Sequence, residues 1–191
     1  TKDEVKQHFS SALINALIKK EILIESQHQL TSGCWFDRLG AEHFAHIAEL
    51  PANVEQSVAI SGISAQLNQF SCFLIEGITG SGKTEVYLQV INKVLQQRQQ
   101  VLILVPEIGL TPQTVSRFES RFGITVGVLH SGLTDTERLV VWQQARLNQI
   151  GIVIGTRSAI FTPLPELGMI IIDEEHDDSF KQQDGLRYHA R

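Results

Sequence analysis

The chain is poor in cysteine, methionine and proline: two, one and five among 191 residues. Cys34 and Cys72 cannot build a disulfide framework or a thiolate zinc cluster, and two such thiols suit a reducing cytoplasm. Long apolar runs are missing too, so no segment is expected to cross a bilayer as a helix and no membrane partner is expected. The polar opening stretch TKDEVKQHF lacks the apolar region of a secretory signal. There is no internal repeat, and the one biased tract, residues 96–100, reads as a solvated helix end. Nor is there an excess of positive charge: the net charge of −5 argues against a protein that coats nucleic acid nonspecifically. What remains, 42% hydrophobic and 19% charged residues, is the composition of a globular cytoplasmic protein. The charge is unevenly placed. Residues 77–160 hold eight Lys or Arg against five Asp or Glu, between two acidic ends, which leaves room for a phosphate-binding face.

Apolar periodicity divides the chain. Residues 1–25 suggest two short helices and a strand: Thr1 and Glu4 have capping-box spacing, Ser11 suits a second cap, and Ile22-Leu23-Ile24 is strand-like. That order fits half of a winged helix and equally a helical hairpin that only packs. Pro51-Ala52-Asn53 reads as a linker, with Asn53 capping a helix toward Asn68. From residue 70 the pattern turns regular, with strand-like runs at 73–75, 101–105, 125–129, 152–154 and 169–172 separated by helical stretches. Tyr87, Val90, Ile91, Val94 and Leu95 form one apolar helical stripe, Thr111-Pro112 supplies a cap followed by proline, and Thr134 with Glu137 has capping-box spacing. Continuous β-branched runs alternating with helices predict an α/β fold, a parallel sheet with helices on both faces.

The turn after the first of these runs reads Gly77-Ile78-Thr79-Gly80-Ser81-Gly82-Lys83-Thr84, matching G-x-x-x-x-G-K-[ST] at each fixed position. Glycines let successive peptide N–H groups face one anion, and the following helix adds its N-terminal partial charge. Lys83 can then reach the β- and γ-phosphates of a nucleoside triphosphate, and the Thr84 hydroxyl can ligate Mg2+. A second carboxylate is required opposite Thr84, at the end of a neighbouring strand. Asp173 follows Ile170-Ile171-Ile172 and heads five carboxylates within six positions. Charge that dense beside a buried strand is unfavourable unless a cation or a reaction uses it. Asp173 is assigned to the metal and Glu174 to orienting and deprotonating water, with Lys83 the third catalytic residue. His176 is a candidate relay to a partner site, while Asp177 and Asp178 read as surface charge.

With the loop and the Asp173-Glu174-Glu175-His176 box located, the chain resembles the first motor lobe of a superfamily 2 DNA helicase, with the likeness running to the replication-restart, primosomal protein N′ family. Residues 51–191 carry the resemblance as helicase lobe 1, a RecA-like P-loop domain. Residues 1–50 carry it weakly, as a partial winged-helix-like segment and linker. Residues 105–113, 129–133 and 155–159 resemble the family's further strand-end loops, which implies sequence-independent strand contacts for Thr111, Arg157 and Ser158. Gln56 resembles the glutamine that reads adenine in these motors. Residues 179–191 resemble an aromatic-rich loop coupling single-stranded DNA to hydrolysis, with Phe180, Lys181, Arg187, Tyr188 and Arg191 as contacts and His189 as a further stacking face; Leu186 departs from the aromatic expected there.

The resemblance implies ATP-dependent 3′-to-5′ unwinding at stalled or branched forks, with forked and single-stranded DNA, primosome proteins and single-strand-binding protein as partners. It implies zinc in a full-length relative but not in this segment. The chain opens without Met and stops inside the loop likened to the coupling element, so a piece of a longer protein is expected, unable to unwind DNA alone because the second lobe's arginine is elsewhere. Three other readings stay open: another superfamily 2 translocase, a P-loop ATPase of a different class, and a fork-recognition module with a regulatory nucleotide pocket.

Overall fold

Aliphatic runs become strands where both faces can be covered. Gln100–Leu104 (β1), Gly127–Leu129 (β2), Ile152–Gly155 (β3) and Leu167–Ile172 (β4) form an all-parallel sheet in the order β2-β3-β1-β4 in the computed structural model. Residues 33–45, 47, 50–78, 80–183, 185 and 187–191 are described, so the expectations for residues 1–25 lie outside them. β1 is central and buried at every position, with Leu102 opposite Val153 of β3 and Ile170 of β4. Its alternate side chains go to opposite layers, as the two-residue period of a strand requires. Val101 and Ile103 join one core, Leu102 and Leu104 the other.

Five helices accompany the sheet among the described residues: Ala41–Ala45 (α1), Val54–Ser64 (α2), Lys83–Gln96 (α3), Pro112–Phe122 (α4) and Asp135–Arg146 (α5). Ile91 and Leu95 of α3 and Phe118 and Phe122 of α4 share the first core with Trp35, Phe36 and Phe44. Ala145 of α5 lies in the second, on the opposite face. α2 packs Ile60 and Ile63 against Val86 and Val90 of α3. The helix starts form as their sequences dictate. Thr111 accepts from the Thr114 N–H with Pro112 in the first turn, and Thr134 and Glu137 complete a reciprocal capping box. Asn53 caps α2 and makes the same box with Gln56.

Two expectations are corrected. Residues 73–75 are not a strand: 71–78 run outside the sheet, with Phe73 46% and Leu74 67% exposed. β4 pairs with β1 on one edge and with no other strand among the described residues, and a run of apolar residues is a strand only when an edge accepts it. Gln100 is not a solvated helix end. α3 stops at Gln96, Arg98 takes φ 64°, and the chain re-enters the core so that Gln100 is completely buried. Its amide donates to Ala145 O (3.1 Å) and Ile150 O (2.8 Å) and accepts from the Glu166 N–H (3.2 Å), tying the entries to three elements together.

Candidate nucleotide site

The phosphate loop opens directly into α3. Gly80 and Gly82 take φ 82° and 84°, a left-handed conformation costly to any residue with a Cβ. A Cβ on Gly77 would lie 2.6 Å from Ser81 Oγ, and one on Gly82 2.3 Å from Gln56 Nε2. Backbone thus favours glycine at Gly80 and Gly82, while at Gly77 and Gly82 a side chain would have to displace the tip of Ser81 or Gln56. Gly82 caps α3 with no side-chain acceptor, so the helix start offers peptide N–H groups to an anion. Lys83 Nζ donates to Gly77 O (2.5 Å) and Ile78 O (3.1 Å), placing the ammonium inside the curve of the loop. Thr79 lies outside the described residues.

Gln56 is beside this loop, as its assignment requires, yet partly engaged: Nε2 donates to Ser81 O (3.1 Å) and Oε1 accepts from the Asn53 N–H (2.9 Å). Pairing with adenine at both ends of the amide requires the Asn53 contact to be shared or released.

β4 carries the acid box to the same end of the sheet. The Asp173 N–H donates to Leu104 O (2.9 Å), extending the ladder with β1 by one step, and the Glu174 N–H donates to Asp173 Oδ1 (3.1 Å). Glu174 then turns through φ 51°, uncommon for a residue of its kind and characteristic of functional sites. Asp173 meets α3 through Tyr87, whose hydroxyl donates to Asp173 Oδ2 at 3.4 Å. Burial pushes the Tyr87 phenol up to about 12; the Thr84 hydroxyl opposes that rise and the Asp173 carboxylate adds to it. The first turn of α3, which carries Thr84, and Asp173, 89 positions further on, thus meet through Tyr87. A hydroxyl and a carboxylate are hard oxygen donors, and beside a glycine cradle they suit a magnesium-bound polyphosphate.

Among the described residues after Asp177 the chain doubles back on itself. Lys181 and His189 pair antiparallel, the Gln182 N–H donates to Tyr188 O (2.8 Å), and the Ala190 N–H donates to Phe180 O (3.0 Å). Arg157 braces the hairpin, with Nη1 donating to Ser179 O (2.9 Å) and Lys181 O (2.8 Å). Arg191 pairs with Glu175. Phe180 is completely buried in the second core, so its expected role as a stacking face is corrected: the ring anchors the hairpin. Tyr188 is half-buried edge-on against Phe161 (4.9 Å), which is 60% exposed. Lys181, Arg187, Ser158 and His176 are exposed, whereas the Thr111 hydroxyl is occupied as a helix cap.

Sequence reasoning missed the linking groups. Tyr87 counted there only as one residue of an apolar stripe; its spacing of three from Thr84, which puts both on one helical face, was the available signal. Glu85 was also passed over. Its Oε1 accepts from Arg121 Nη2 (2.7 Å) and Gln89 Nε2 (2.9 Å), joining the start of α3 to the end of α4.

The profile of the DEAD/DEAH box helicases matches residues 53–191. Curated relatives include the replication restart protein PriA of Haemophilus influenzae, 52% identical over 184 residues, covering 96% of this chain and 25% of the relative. That of Bacillus subtilis is 45% identical over 188 residues, covering 97% and 23%. Among solved structures, RecG bound to a three-way DNA junction superposes with a TM-score of 0.61 at 27% identity, covering 78% of this chain and 21% of that one. The chain spans about a quarter of the length of these curated relatives. Matched over most of its length by the family profile, the chain belongs to the DEAD/DEAH box helicases and is similar to the first motor lobe of the replication restart proteins.

Proposed function

We propose that this lobe binds ATP with Mg2+ and that, in the intact protein, hydrolysis there drives 3′-to-5′ DNA unwinding at stalled or branched replication forks. The reading rests on one observation above all: α3, which opens on Lys83 and Thr84 of the phosphate loop, is joined to Asp173 of the acid box by the Tyr87 hydroxyl. Lys83 and the first-turn N–H groups of α3 hold the β- and γ-phosphates, and Thr84 and Asp173 hold the metal. When bound, magnesium supplies charge neutralisation across the phosphate oxygens. Glu174 accepts a proton from the attacking water, and its exposed position leaves it open to solvent for that exchange. Gln56, alongside the loop, is assigned to adenine.

The DNA face is assigned to the strand-end loops of the same sheet edge, with Ser158, Lys181, Arg187 and Tyr188 as contacts and Thr111 helping through the loop it closes. Arg157 and Arg191 act through the hairpin they hold, and His176 is placed to relay nucleotide state. Single-stranded and forked DNA, primosome proteins and single-strand-binding protein are the partners this reading implies, in the cytoplasm. The lobe alone is not expected to unwind DNA, since the transition-state arginine comes from a second lobe in motors of this kind.

Lys83→Ala in the intact protein should abolish ATP turnover and leave fork binding within a few-fold of wild type. Turnover at the wild-type rate would overturn the site assignment. Similarity to RecG favours a second reading, a branch-migrating translocase. Preference for four-way junctions over forks in unwinding assays would select it.

A further inference from the structure

We propose that Tyr87 is a positioning residue of the metal site, its hydroxyl holding Asp173 Oδ2 one helical turn from Thr84 and fixing that carboxylate before a cation arrives. This rests on the nucleotide–magnesium reading above. A phenol has one proton to give, and Asp173 as a carboxylate can only accept, so the Tyr87 O–H donates to Oδ2 across 3.4 Å. Asp173 is held at both oxygens, Oδ1 by the Glu174 N–H at 3.1 Å and Oδ2 by Tyr87, so its rotation is restricted while lone pairs remain on each. Metal-ligating carboxylates that are fixed by such partners bind more tightly, and loss of the partner typically weakens metal affinity about 10–100-fold.

The ring itself is held from the other side. Tyr87 is 8% exposed and stacks on Phe118 of α4, centroids 6.3 Å apart and planes within 4° of parallel. The phenol therefore spans the interior from α4 to the metal site, and the orientation of its hydroxyl is set by packing.

Tyr87→Phe removes the oxygen and keeps the ring. In the intact protein, binding of Mn2+ in the presence of ATPγS, followed by electron paramagnetic resonance, should weaken about tenfold. Binding of the fluorescent nucleotide mant-ATP without metal should be unchanged, and so should far-ultraviolet circular dichroism. A purely structural role for the phenol would lower stability without this split. Mn2+ affinity within twofold of wild type would overturn the proposal. Phe118→Leu, which leaves the hydroxyl but frees the ring, should weaken Mn2+ in the same direction and by less; it provides the test should Tyr87→Phe fail to fold, and an unchanged Mn2+ affinity there would count against the proposal. Asp173→Asn separates the two levels of the argument. If it leaves Mn2+ binding intact, the metal-site reading itself falls; if it abolishes binding while Tyr87→Phe has no effect, only the role of Tyr87 falls.

Discussion

Gln100 offers the sharpest test of how the sheet is held, and Gln100→Met is the perturbation. Methionine has the same unbranched reach and similar volume, so the change removes polar atoms without opening a large cavity. Three hydrogen bonds are lost, to Ala145 O, Ile150 O and from the Glu166 N–H. They are not equal. Ala145 O also accepts from the Asn148 N–H at 3.1 Å and stays satisfied. Ile150 O and the Glu166 N–H are left without a hydrogen-bond partner among the described residues, the first buried and the second only partly so on an exposed residue. An orphaned buried group costs about 1–3 kcal/mol, a partly buried one falls at the low end, and burying a thioether in place of an amide returns about 1 kcal/mol. The expected loss is about 2 kcal/mol, or roughly 4–8 °C in melting temperature for a domain this size. Urea unfolding followed by tryptophan fluorescence measures it, with wild type and variant compared at equal m-value so that the midpoint shift reports stability. A loss under about 1 kcal/mol would refute the argument, since it would mean that water or a small backbone shift satisfies both groups.

Arg157→Ala should release the antiparallel pairing of Lys181 with His189 while leaving the sheet intact: amide exchange at Ala190 and Gln182 should accelerate at least tenfold, and unchanged exchange would show that Phe180 alone holds it. Hydrogen bonds from Thr134, side chain first and backbone second, hold the Glu137 carboxyl below its ordinary value of 4.5. A depressed folded-state value means that its contribution is complete above about pH 4.5 and disappears as pH falls through the lower folded value. The melting-temperature gap between wild type and Glu137→Gln, measured from neutral to strongly acidic pH, should therefore be constant and then close on the acid side; a gap that widens there would contradict the sign.

What was legible in the sequence is what short-range chemistry determines. The phosphate loop could be read because the left-handed backbone at Gly80 and Gly82 is a local requirement that favours glycine. Thr111-Pro112 and Thr134 with Glu137 could be read because a helix cap is settled within four residues. Asp173 could be placed at a strand end because β4 is a continuous apolar run. The misreadings share a different origin. Residues 73–75 have the composition of a strand, but pairing depends on an edge that composition does not reveal. Phe180 looked like an exposed stacking ring because it lies among polar residues, and only tertiary packing buries it. Gln100 and Tyr87 behave alike in this respect: each is polar at its tip, and the partners that matter are 45 to 86 positions away. Periodicity sees one residue's neighbours along the chain and not the groups that another layer brings to it.

The left-handed turn at Glu174 limits which side chains the strand end tolerates. Valine or isoleucine there would resist the conformation by about 1–2 kcal/mol, and glycine would relax it while discarding the carboxylate. Swapping the second acid is therefore never a purely chemical experiment: asparagine or aspartate accept the backbone most readily, and a shortened side chain that still folds would separate the length of that residue from the hinge it sits on.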